Sequence, residues 1–460
     1  MSRPAPHPVT APVRRDDRPP DAWLAHRRAR LLWGSVLVAV LVGPSVIWML
    51  RSGPQPPLHQ MSVLTGLLAL SAMVIVAVLP SRVRGLSGAL GLETLLGLHR
   101  RLGMLAGALV ALHLACVVAD RPERVGLLVP MAAPARGQAA TIATAAIGLL
   151  LVLAVRGVRS GSHEVWRWVH LSLAALVVGA SALHVFWLDN LVTDAVMGPV
   201  LAGLGMVLVA VLVLRWGARA AAGEFRVRVV RPESPTVSTL VLVRRGRHAG
   251  PWFRPGQFAW LRLERMSVEE HPFTIASSAA DGGRVEFTVR HTGDFAARLR
   301  ELRRGDPVWV DGPYGAFTPD AVPSTGLVLI AGGVGITPMM SMLRTAADRG
   351  DPRPYRLVVH ARDPADLLFR AELAHLRTRL DLQVTEVLRR PTEDWDGATG
   401  PIDTALLSAV LTDLGGIGTA ECRHDYFVCG RPQLVADVLD TLGALGVPED
   451  RVHTERFAQV

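Results

Sequence analysis

Long apolar stretches fill much of the first half of the chain. They lie at residues 31–50, 61–80, 98–119, 139–155, 166–187 and 196–216. Most are close to the ~20 residues that an α-helix needs to cross a bilayer core. The pattern predicts a six-helix transmembrane bundle over 31–216, preceded by a Pro- and Arg-rich segment, 1–30, that we expect to be disordered and cytoplasmic. Because the first stretch is followed by several more, we interpret it as a retained membrane helix.

Arginines orient these stretches. They are dense before the first stretch, between the second and third, between the fourth and fifth, and after the sixth, while the alternate links carry few. The positive-inside rule therefore puts both ends of the bundle, and the chain after residue 217, in the cytoplasm. All 49 basic residues are arginine, which is typical of a GC-rich bacterial genome, so we expect a multi-pass inner-membrane protein. The arginines behind the net charge of +9 are spread along the chain and often flank the apolar stretches. The charge therefore reflects membrane topology and does not indicate a nucleic-acid partner.

The pattern changes after residue 217, where the apolar runs become short. Strand-like runs broken by Pro and Ser fill 224–320 and predict an antiparallel β-barrel. Strands alternate with helices over 326–460, which predicts an α/β nucleotide-binding domain with a parallel sheet. The expected fold class is a multidomain membrane protein that joins a helical bundle, a β-barrel and an α/β domain.

Four histidines lie inside the apolar stretches in two equally spaced pairs. His99 and His113 are fourteen residues apart, and so are His170 and His184. In an α-helix this spacing puts both members of a pair on one face, about 21 Å apart along the axis. The two helices run in the same direction, so His99 meets His170 at an inner level and His113 meets His184 at an outer level. Two levels of facing imidazoles predict two b-type hemes, each with two histidine ligands.

The histidines and the cysteines allow other interpretations. Ordinary polar bridges between helices are one alternative, although ionisable residues inside a membrane are costly and are usually functional. Zinc would need its ligands at one point, which the separation of the two levels excludes. The cysteines form no C-x-x-C pair and indicate neither an iron–sulfur cluster nor a disulfide framework; they are Cys116, Cys422 and Cys429.

Several short motifs follow one another in the second half. They are PGQF at 255–258, HPFTIAS at 271–277, GPYG at 312–315, AGGVGITP at 331–338, VCG at 428–430 and ERF at 455–457. With the helices and the paired histidines, this ordered set resembles the ferredoxin–NADP reductase superfamily, specifically its ferric reductase and NADPH oxidase branch. The resemblance implies FAD, NADPH or NADH, and heme as cofactors.

The resemblance implies a flavin site in the β-barrel. Its residues would be His271, Pro272, Phe273, Thr274, Arg290, Gly312 and Tyr314. The hydroxyl of Thr274 would lie near the reactive flavin nitrogen, which makes it a catalytic candidate. Arg290 would offer a bidentate guanidinium to the FAD pyrophosphate, and a surface arginine on a strand is its alternative role.

Arginines near the inner histidines would meet heme propionates or simply flank the membrane; they are Arg100, Arg101 and Arg167.

A glycine turn marks the nucleotide site. Gly332, Gly333 and Gly335 follow an apolar strand and let the backbone turn tightly. The next helix, opened by Thr337 and Pro338, offers free N–H groups to a dinucleotide pyrophosphate. The motif is not the G-x-G-x-x-G fingerprint, so its position after a strand and the family resemblance carry the interpretation.

The resemblance also implies residues at the nicotinamide. Cys429 and Gly430 would lie beside it, and Phe457 would stack on the isoalloxazine until nicotinamide displaces it. A buried structural cysteine and a core phenylalanine are the alternatives. Arg362 follows the second strand of the nucleotide domain, where it would bind a 2′-phosphate, although Asp363 adjoins it. We therefore favour NADPH over NADH.

Together these features predict an oxidoreductase that passes electrons from cytoplasmic NAD(P)H through FAD and two hemes to an acceptor outside. A ferric chelate is favoured because the longest outer loop carries Arg121, Arg124 and Arg136. Oxygen would instead make the protein a superoxide-producing oxidase, but the oxidases often have a histidine where this chain has Val117. A membrane-anchored flavin reductase for a partner protein, or a quinone-linked subunit, remains open.

Overall fold

The structure is a computed structural model. It describes residues 21–129, 133–156, 163–244, 252–267, 269–281, 283–414 and 424–457. Cys422 and the first twenty residues lie outside the described residues. The first helix begins at Asp21, so helical structure extends into the last ten residues of the segment that the sequence predicts as disordered.

The described helices of the first half form the membrane bundle. They are α1 Asp21–Arg51, α2 Pro57–Val78, α3 Arg84–Leu90, α4 Leu92–Asp120, α5 Ala135–Arg156, α6 His163–Phe186, α7 Asp189–Val192 and α8 Met197–Ala220. Six of them are long and apolar enough to cross a membrane, which confirms the six predicted stretches. The short helices α3 and α7 connect them. Many large apolar side chains face outward, as a lipid-facing surface requires.

The bundle packs as two helix pairs around small residues. Helix α2 packs closely on α4, and α5 on α6. Where the four helices meet, the core contains Ala72, Ala106, Ala146, Ile147 and Val177. Small residues let helix backbones approach closely in a membrane. Because Ala106 and Val177 lie midway between the histidines of their own helices, this core separates the inner level from the outer one.

The second domain is an antiparallel sheet with one helix. Its elements are β1 Gly223–Ser234, β2 Val237–Arg244, β3 Phe258–Arg262, β4 His271–Thr274, β5 Arg284–Arg290, α9 Gly293–Glu301 and β6 Pro307–Tyr314. The strand order is β4-β3-β6-β1-β2-β5. The two edge strands meet only at a bridge between Ile275 and Phe287, so the predicted barrel is a curled sheet that is not continuously closed. Both bridge residues are fully buried in the core of the domain.

The third domain is a parallel sheet between helices. Its elements are β7 Gly326–Gly332, α10 Ile336–Arg349, β8 Tyr355–Ala361, α11 Arg370–Leu376, β9 Leu382–Leu388, β10 Ala398–Thr399, α12 Thr404–Leu411, β11 His424–Gly430, α13 Pro432–Ala444 and β12 Val452–Arg456. The strand order is β10-β9-β8-β7-β11-β12, and every pairing is parallel. The order reverses between β7 and β11, and ligands of such sheets bind at the carboxyl ends of the strands there.

Candidate redox site

The inner histidine pair has a spacing that suits one iron atom. The ring centroids of His99 and His170 are 6.2 Å apart, with their planes tilted by 58°. Two imidazole nitrogens bound at ~2 Å on opposite sides of a metal put their ring centroids about 6 Å apart. Both residues are half-buried, on α4 and α6. The spacing therefore suits two imidazoles that would hold one heme iron between them.

The outer pair is held by backbone contacts. His113 Nδ1 lies 2.6 Å from the carbonyl oxygen of Ser62, and His184 Nδ1 lies 3.0 Å from that of Arg136. Gly66 faces His113 so closely that an added Cβ would stand 3.0 Å from Nδ1. The two imidazoles are near enough to interact electrostatically. Glycine at position 66 is thus what allows α2 to pass the imidazole.

The partners of Nδ1 determine which nitrogen is available to a metal. At the inner level His99 Nδ1 lies 3.0 Å from the carbonyl oxygen of Val76. A carbonyl only accepts, so in His99, His113 and His184 the proton is on Nδ1 and Nε2 keeps its lone pair. Metal-binding histidines usually have this arrangement. His170 Nδ1 has no hydrogen-bond partner among the described residues.

A zinc site finds no support in the described part of the chain. No group of three or more His, Cys, Asp or Glu side chains there is arranged to hold a metal ion. The four membrane histidines occur as two pairs, one of which has its ring centroids 6.2 Å apart.

An aromatic cluster supports the predicted flavin strand. The ring of Phe295, on α9, is 4.4 Å from that of His271 and 6.1 Å from that of Phe273, to which it is nearly parallel. Thr274 is buried at the end of β4. Phe295, which lies five residues after Arg290, was not identified from the sequence, and its aromatic side chain was the available signal.

Arg290 connects the flavin domain to the glycine turn. An added Cβ at Gly333 would stand 3.3 Å from Arg290 Nη2, and the same nitrogen is 3.9 Å from Asp366 Oδ1. Helix α9 begins at Gly293, three residues after Arg290 in the sequence. Guanidiniums and helix N-termini are both groups that bind anions.

Gly312 and Tyr314 occupy the domain core. An added Cβ at Gly312 would stand 2.8 Å from Ala259 Cβ, so glycine permits close strand approach. Tyr314 is buried, its hydroxyl donates to Asp311 Oδ1 over 2.9 Å, and its ring packs 6.1 Å from Phe258. The family resemblance implies Tyr314 as a flavin-site residue, and that assignment stays a prediction; its hydroxyl contact with Asp311 fixes the side chain at the end of β6.

The predicted nucleotide residues come together at the ends of β7 and β11. An added Cβ at Gly335 would stand 2.4 Å from the carbonyl oxygen of Cys429. The Cα of Gly430 lies 3.9 Å from the Cβ position of Gly332, and the N–H of Phe457 donates to the Gly430 oxygen over 2.9 Å. The glycine turn, the Cys429–Gly430 pair and Phe457 therefore lie together at the carboxyl ends of these strands.

The first turn of α10 completes this site. The Thr337 hydroxyl donates to the carbonyl oxygen of Val334 over 3.0 Å, and both Thr337 and Pro338 are buried. The hydroxyl is thus engaged by the protein, and the N–H groups of the helix start are what remains for a pyrophosphate.

Arg362 has acidic neighbours that sequence reasoning only partly anticipated. Its Nε lies 3.5 Å from Asp363 Oδ2 and 3.9 Å from Asp366 Oδ2, and its side chain is 56% exposed. Carboxylates repel a 2′-phosphate, and an acidic residue near the end of this strand can bind a ribose hydroxyl instead. The preference for NADPH over NADH stays a prediction, and the neighbouring carboxylates count against it.

Family models cover three parts of the chain. Residues 65–181 match the ferric reductase like transmembrane component, 236–318 the FAD-binding domain, and 329–440 the oxidoreductase NAD-binding domain.

Characterised relatives match the soluble half. The reductase component of propane 2-monooxygenase from Rhodococcus jostii is 32% identical over 245 residues, which are 51% of this chain and 64% of the relative. Ferredoxin–NADP reductase B from Sorangium cellulosum is 31% identical over 51% of this chain and 97% of its own length. The glycine betaine monooxygenase reductase subunit of Pseudomonas aeruginosa is 29% identical over 45% of this chain and 56% of its own length. The chain thus spans less than two thirds of these monooxygenase reductases.

Fold, site and comparisons define a class of protein: a multi-pass membrane oxidoreductase with FAD- and NAD(P)H-binding domains. Within that class, the chain belongs to the ferredoxin–NADP reductase family and has the domain architecture of ferric reductases and NADPH oxidases. Its ferric reductase-like transmembrane domain is joined to a module of the ferredoxin–NADP reductase type.

Proposed function

We propose that this protein carries electrons across a bacterial inner membrane, from cytoplasmic NADPH or NADH to a ferric chelate outside. FAD and two hemes would be its cofactors. The observation that carries the proposal is the histidine geometry: two facing pairs, three Nδ1 atoms anchored on carbonyl oxygens, and 6.2 Å between the inner rings. A flavin domain without membrane electron transfer would not need these features.

The residues of the soluble half would hold and orient the coenzymes. Cys429, Gly430 and Phe457 would border the nicotinamide, and Thr274 would face the flavin at the end of β4. Arg290 and the start of α9 would bind the pyrophosphate of FAD. When bound, FAD accepts the two electrons of a hydride and releases them singly to heme. His99 and His170 would ligate the inner heme, and His113 and His184 the outer one.

The acceptor side is inferred from charge. Arg121 and Arg136 are exposed at the ends of α4 and α5 that lie away from the flavin domain. Arg121 and Arg124 are 3.9 Å and 3.5 Å from Asp120, so part of the positive charge is neutralised there. The remaining charge favours an anionic ferric chelate over a neutral acceptor.

The visible spectrum tests this proposal. Purified protein in detergent would be reduced with NADPH or NADH without oxygen, and ferric citrate or oxygen would then be admitted to matched samples. We expect heme to be reduced through the flavin and reoxidised faster by ferric citrate. Faster reoxidation by oxygen, with superoxide in proportion, would instead identify an NADPH oxidase.

Heme content gives a second readout with a matched control. His113→Ala or His184→Ala should remove roughly half of the heme, because each outer ligand serves one of two sites. His59→Ala is the control, since His59 is also a half-buried histidine of the bundle but belongs to neither pair. Equal heme content in all three variants would contradict the ligand assignment.

A second candidate is a membrane-anchored reductase for a partner oxygenase. It is favoured by the soluble half, which resembles reductase components of monooxygenases. This function predicts a purified protein without heme whose flavin reduces an added partner protein.

A further inference from the structure

One buried carboxylate lies where the flavin domain meets the membrane bundle. Glu270 directly precedes the flavin strand β4, and its side chain is 1% exposed. Its Oε1 is 2.7 Å from Arg82, 3.5 Å from Arg219 and 3.9 Å from Arg215. We call these four residues the Glu270 cluster. Arg82 follows α2 and the other two arginines belong to α8, so the cluster joins two bundle helices to the flavin domain.

Further contacts fix both sides of the cluster. The Arg82 guanidinium lies 3.5 Å from the centroid of the Trp260 ring, and Trp260 pairs across the sheet with Pro272 of β4. Arg219 Nη2 donates to the carbonyl oxygen of Ser267 over 2.6 Å. Fully buried Arg262, on β3, donates to the Arg219 carbonyl oxygen over 2.8 Å. The flavin strand is thus attached to the bundle by charge, ring stacking and backbone hydrogen bonds.

The same arginines lead to the inner histidine pair. Arg215 Nη1 donates to the carbonyl oxygen of Pro80 over 2.8 Å, which ties α8 to the end of α2. One turn earlier on α2, the carbonyl oxygen of Val76 accepts the hydrogen bond from His99 Nδ1. A continuous set of contacts therefore runs from β4, through Glu270 and Arg82, to the segment that orients His99.

The charge balance makes Glu270 decisive. Burial alone would raise the pKa of Glu270, but Arg82, Arg219 and Arg215 together lower it below its ordinary value, so the carboxylate is charged at neutral pH. Its Oε2 has no hydrogen-bond partner among the described residues, so the arginines are what holds it. Without that charge, three guanidiniums would face one another, and within the described residues the remaining ion-pair partner is Asp311, 3.8 Å from Arg82.

We infer that the Glu270 cluster is a positioning device that docks the flavin strand on the bundle and sets its place relative to the inner histidine pair. Buried ion pairs contribute little net stability, and their best-supported benefit is a specific geometry. Electron transfer from flavin to heme depends on such a geometry. The inference rests on the proposed function and adds Glu270, Arg82, Arg215 and Arg219 to it as positioning residues.

Glu270→Gln tests this inference, because it keeps the shape and removes the charge. Glu386→Gln is the matched control: Glu386 also binds one arginine, Arg370, through two 2.9 Å hydrogen bonds, but it lies in the nucleotide domain. Stopped-flow absorbance would follow flavin reduction by NADPH and heme reduction separately. Hydrogen exchange of segments 76–82 and 271–274 would report docking without reference to heme.

We expect Glu270→Gln to leave flavin reduction and heme content unchanged, to slow heme reduction by about tenfold or more, and to increase exchange in both segments. The control should change none of these. Arg219→Gln, which removes one arginine at the edge of the cluster, should have the same pattern with a smaller amplitude and serves if Glu270→Gln fails to fold.

Other outcomes overturn the inference in distinguishable ways. Unchanged exchange in both segments would mean that the cluster does not dock the domains. Increased exchange with an unchanged rate of heme reduction would refute the positioning role while the proposed function stands. Failure of both NADPH and NADH to reduce heme in the unsubstituted protein would overturn the proposed function, and this inference with it, before any variant is compared.

Discussion

The membrane bundle and the nucleotide-binding domain differ in how they use burial. In the nucleotide domain, central strand residues such as Leu329 and Val428 are fully buried, and the helices on both faces complete the core. In the bundle, the shared core is small, and the histidines above and below it are only half-buried. Ionisable residues inside a membrane cost free energy unless they are paired, and they usually mark functional sites. Such a difference is expected if the nucleotide domain is stabilised by its own side chains and the bundle holds the hemes proposed above.

Loss of a histidine of the inner pair should have the largest effect on electron transfer through the bundle. We expect His170→Ala to lower NADPH-driven reduction of an outside ferric chelate by about 100-fold, because a ligand of the inner heme is gone. Flavin reduction by NADPH should stay at its original rate, since the soluble half has its own core. Stopped-flow absorbance at flavin and heme wavelengths checks both expectations. A proportional loss of flavin reduction would contradict the independence of the two regions.

Gly335→Ala should damage the opposite region. The added methyl group would meet the Cys429 carbonyl oxygen at 2.4 Å, so backbone must move, at a cost of about 1–3 kcal/mol in unfolding free energy of the nucleotide domain. The KM for the coenzyme should rise, while dithionite-reduced heme spectra stay unchanged. Gly443→Ala is the control because nothing lies within 4 Å of its added Cβ. Equal KM values in the two variants would count against the glycine turn as the coenzyme site.

Gly66→Ala tests the outer histidine level with a smaller change. The new Cβ would stand 3.0 Å from His113 Nδ1 and would push the imidazole from its hydrogen bond with Ser62. We expect affinity for the outer heme to fall by about tenfold, the size seen when partners of metal-binding histidines are lost. Heme titration of depleted protein measures it, with Gly205→Ala, whose Cβ meets nothing within 4 Å, as the control. An unchanged titration curve would separate His113 from heme binding.

Asp363→Asn should have the smallest effect. Arg362 and Asp363 are both about half exposed, and such pairs contribute only about 0–1 kcal/mol. Removing the carboxylate should therefore lower the KM for NADPH by up to about fivefold and leave that for NADH unchanged. Steady-state kinetics with both coenzymes makes the comparison. A matching change for NADH would show that Arg362 does not contact the 2′-phosphate.

Much of the architecture follows from local pattern. The six membrane helices follow from the length of the apolar stretches. The position of His99 and His113 on one face of their helix follows from the geometry of an α-helix. The parallel sheet follows from strands alternating with helices. Each of these features is determined by residues within one helix or strand, or by the order in which strands and helices alternate along the chain.

Features that depend on contacts between distant segments could not be predicted. The carbonyl partners of the histidines come from other helices or loops, so only the packed bundle reveals them. Glu270 and Arg82 are far apart in sequence and meet only at the domain boundary. The hydrogen bond from Tyr314 to Asp311 was likewise not predictable from the GPYG motif, which indicates only a flavin site.

Heme stoichiometry tests the central claim most directly. The measurement is the ratio of heme to FAD in purified protein. The visible spectrum, recorded before and after NADPH is added without oxygen, then shows how much of that heme is reduced. The histidine geometry predicts two hemes per FAD, both reduced by NADPH, with roughly one remaining after His184→Ala. A protein that contains FAD but no heme, or whose heme is not reduced through the flavin, would contradict transmembrane electron transfer and favour the membrane-anchored reductase.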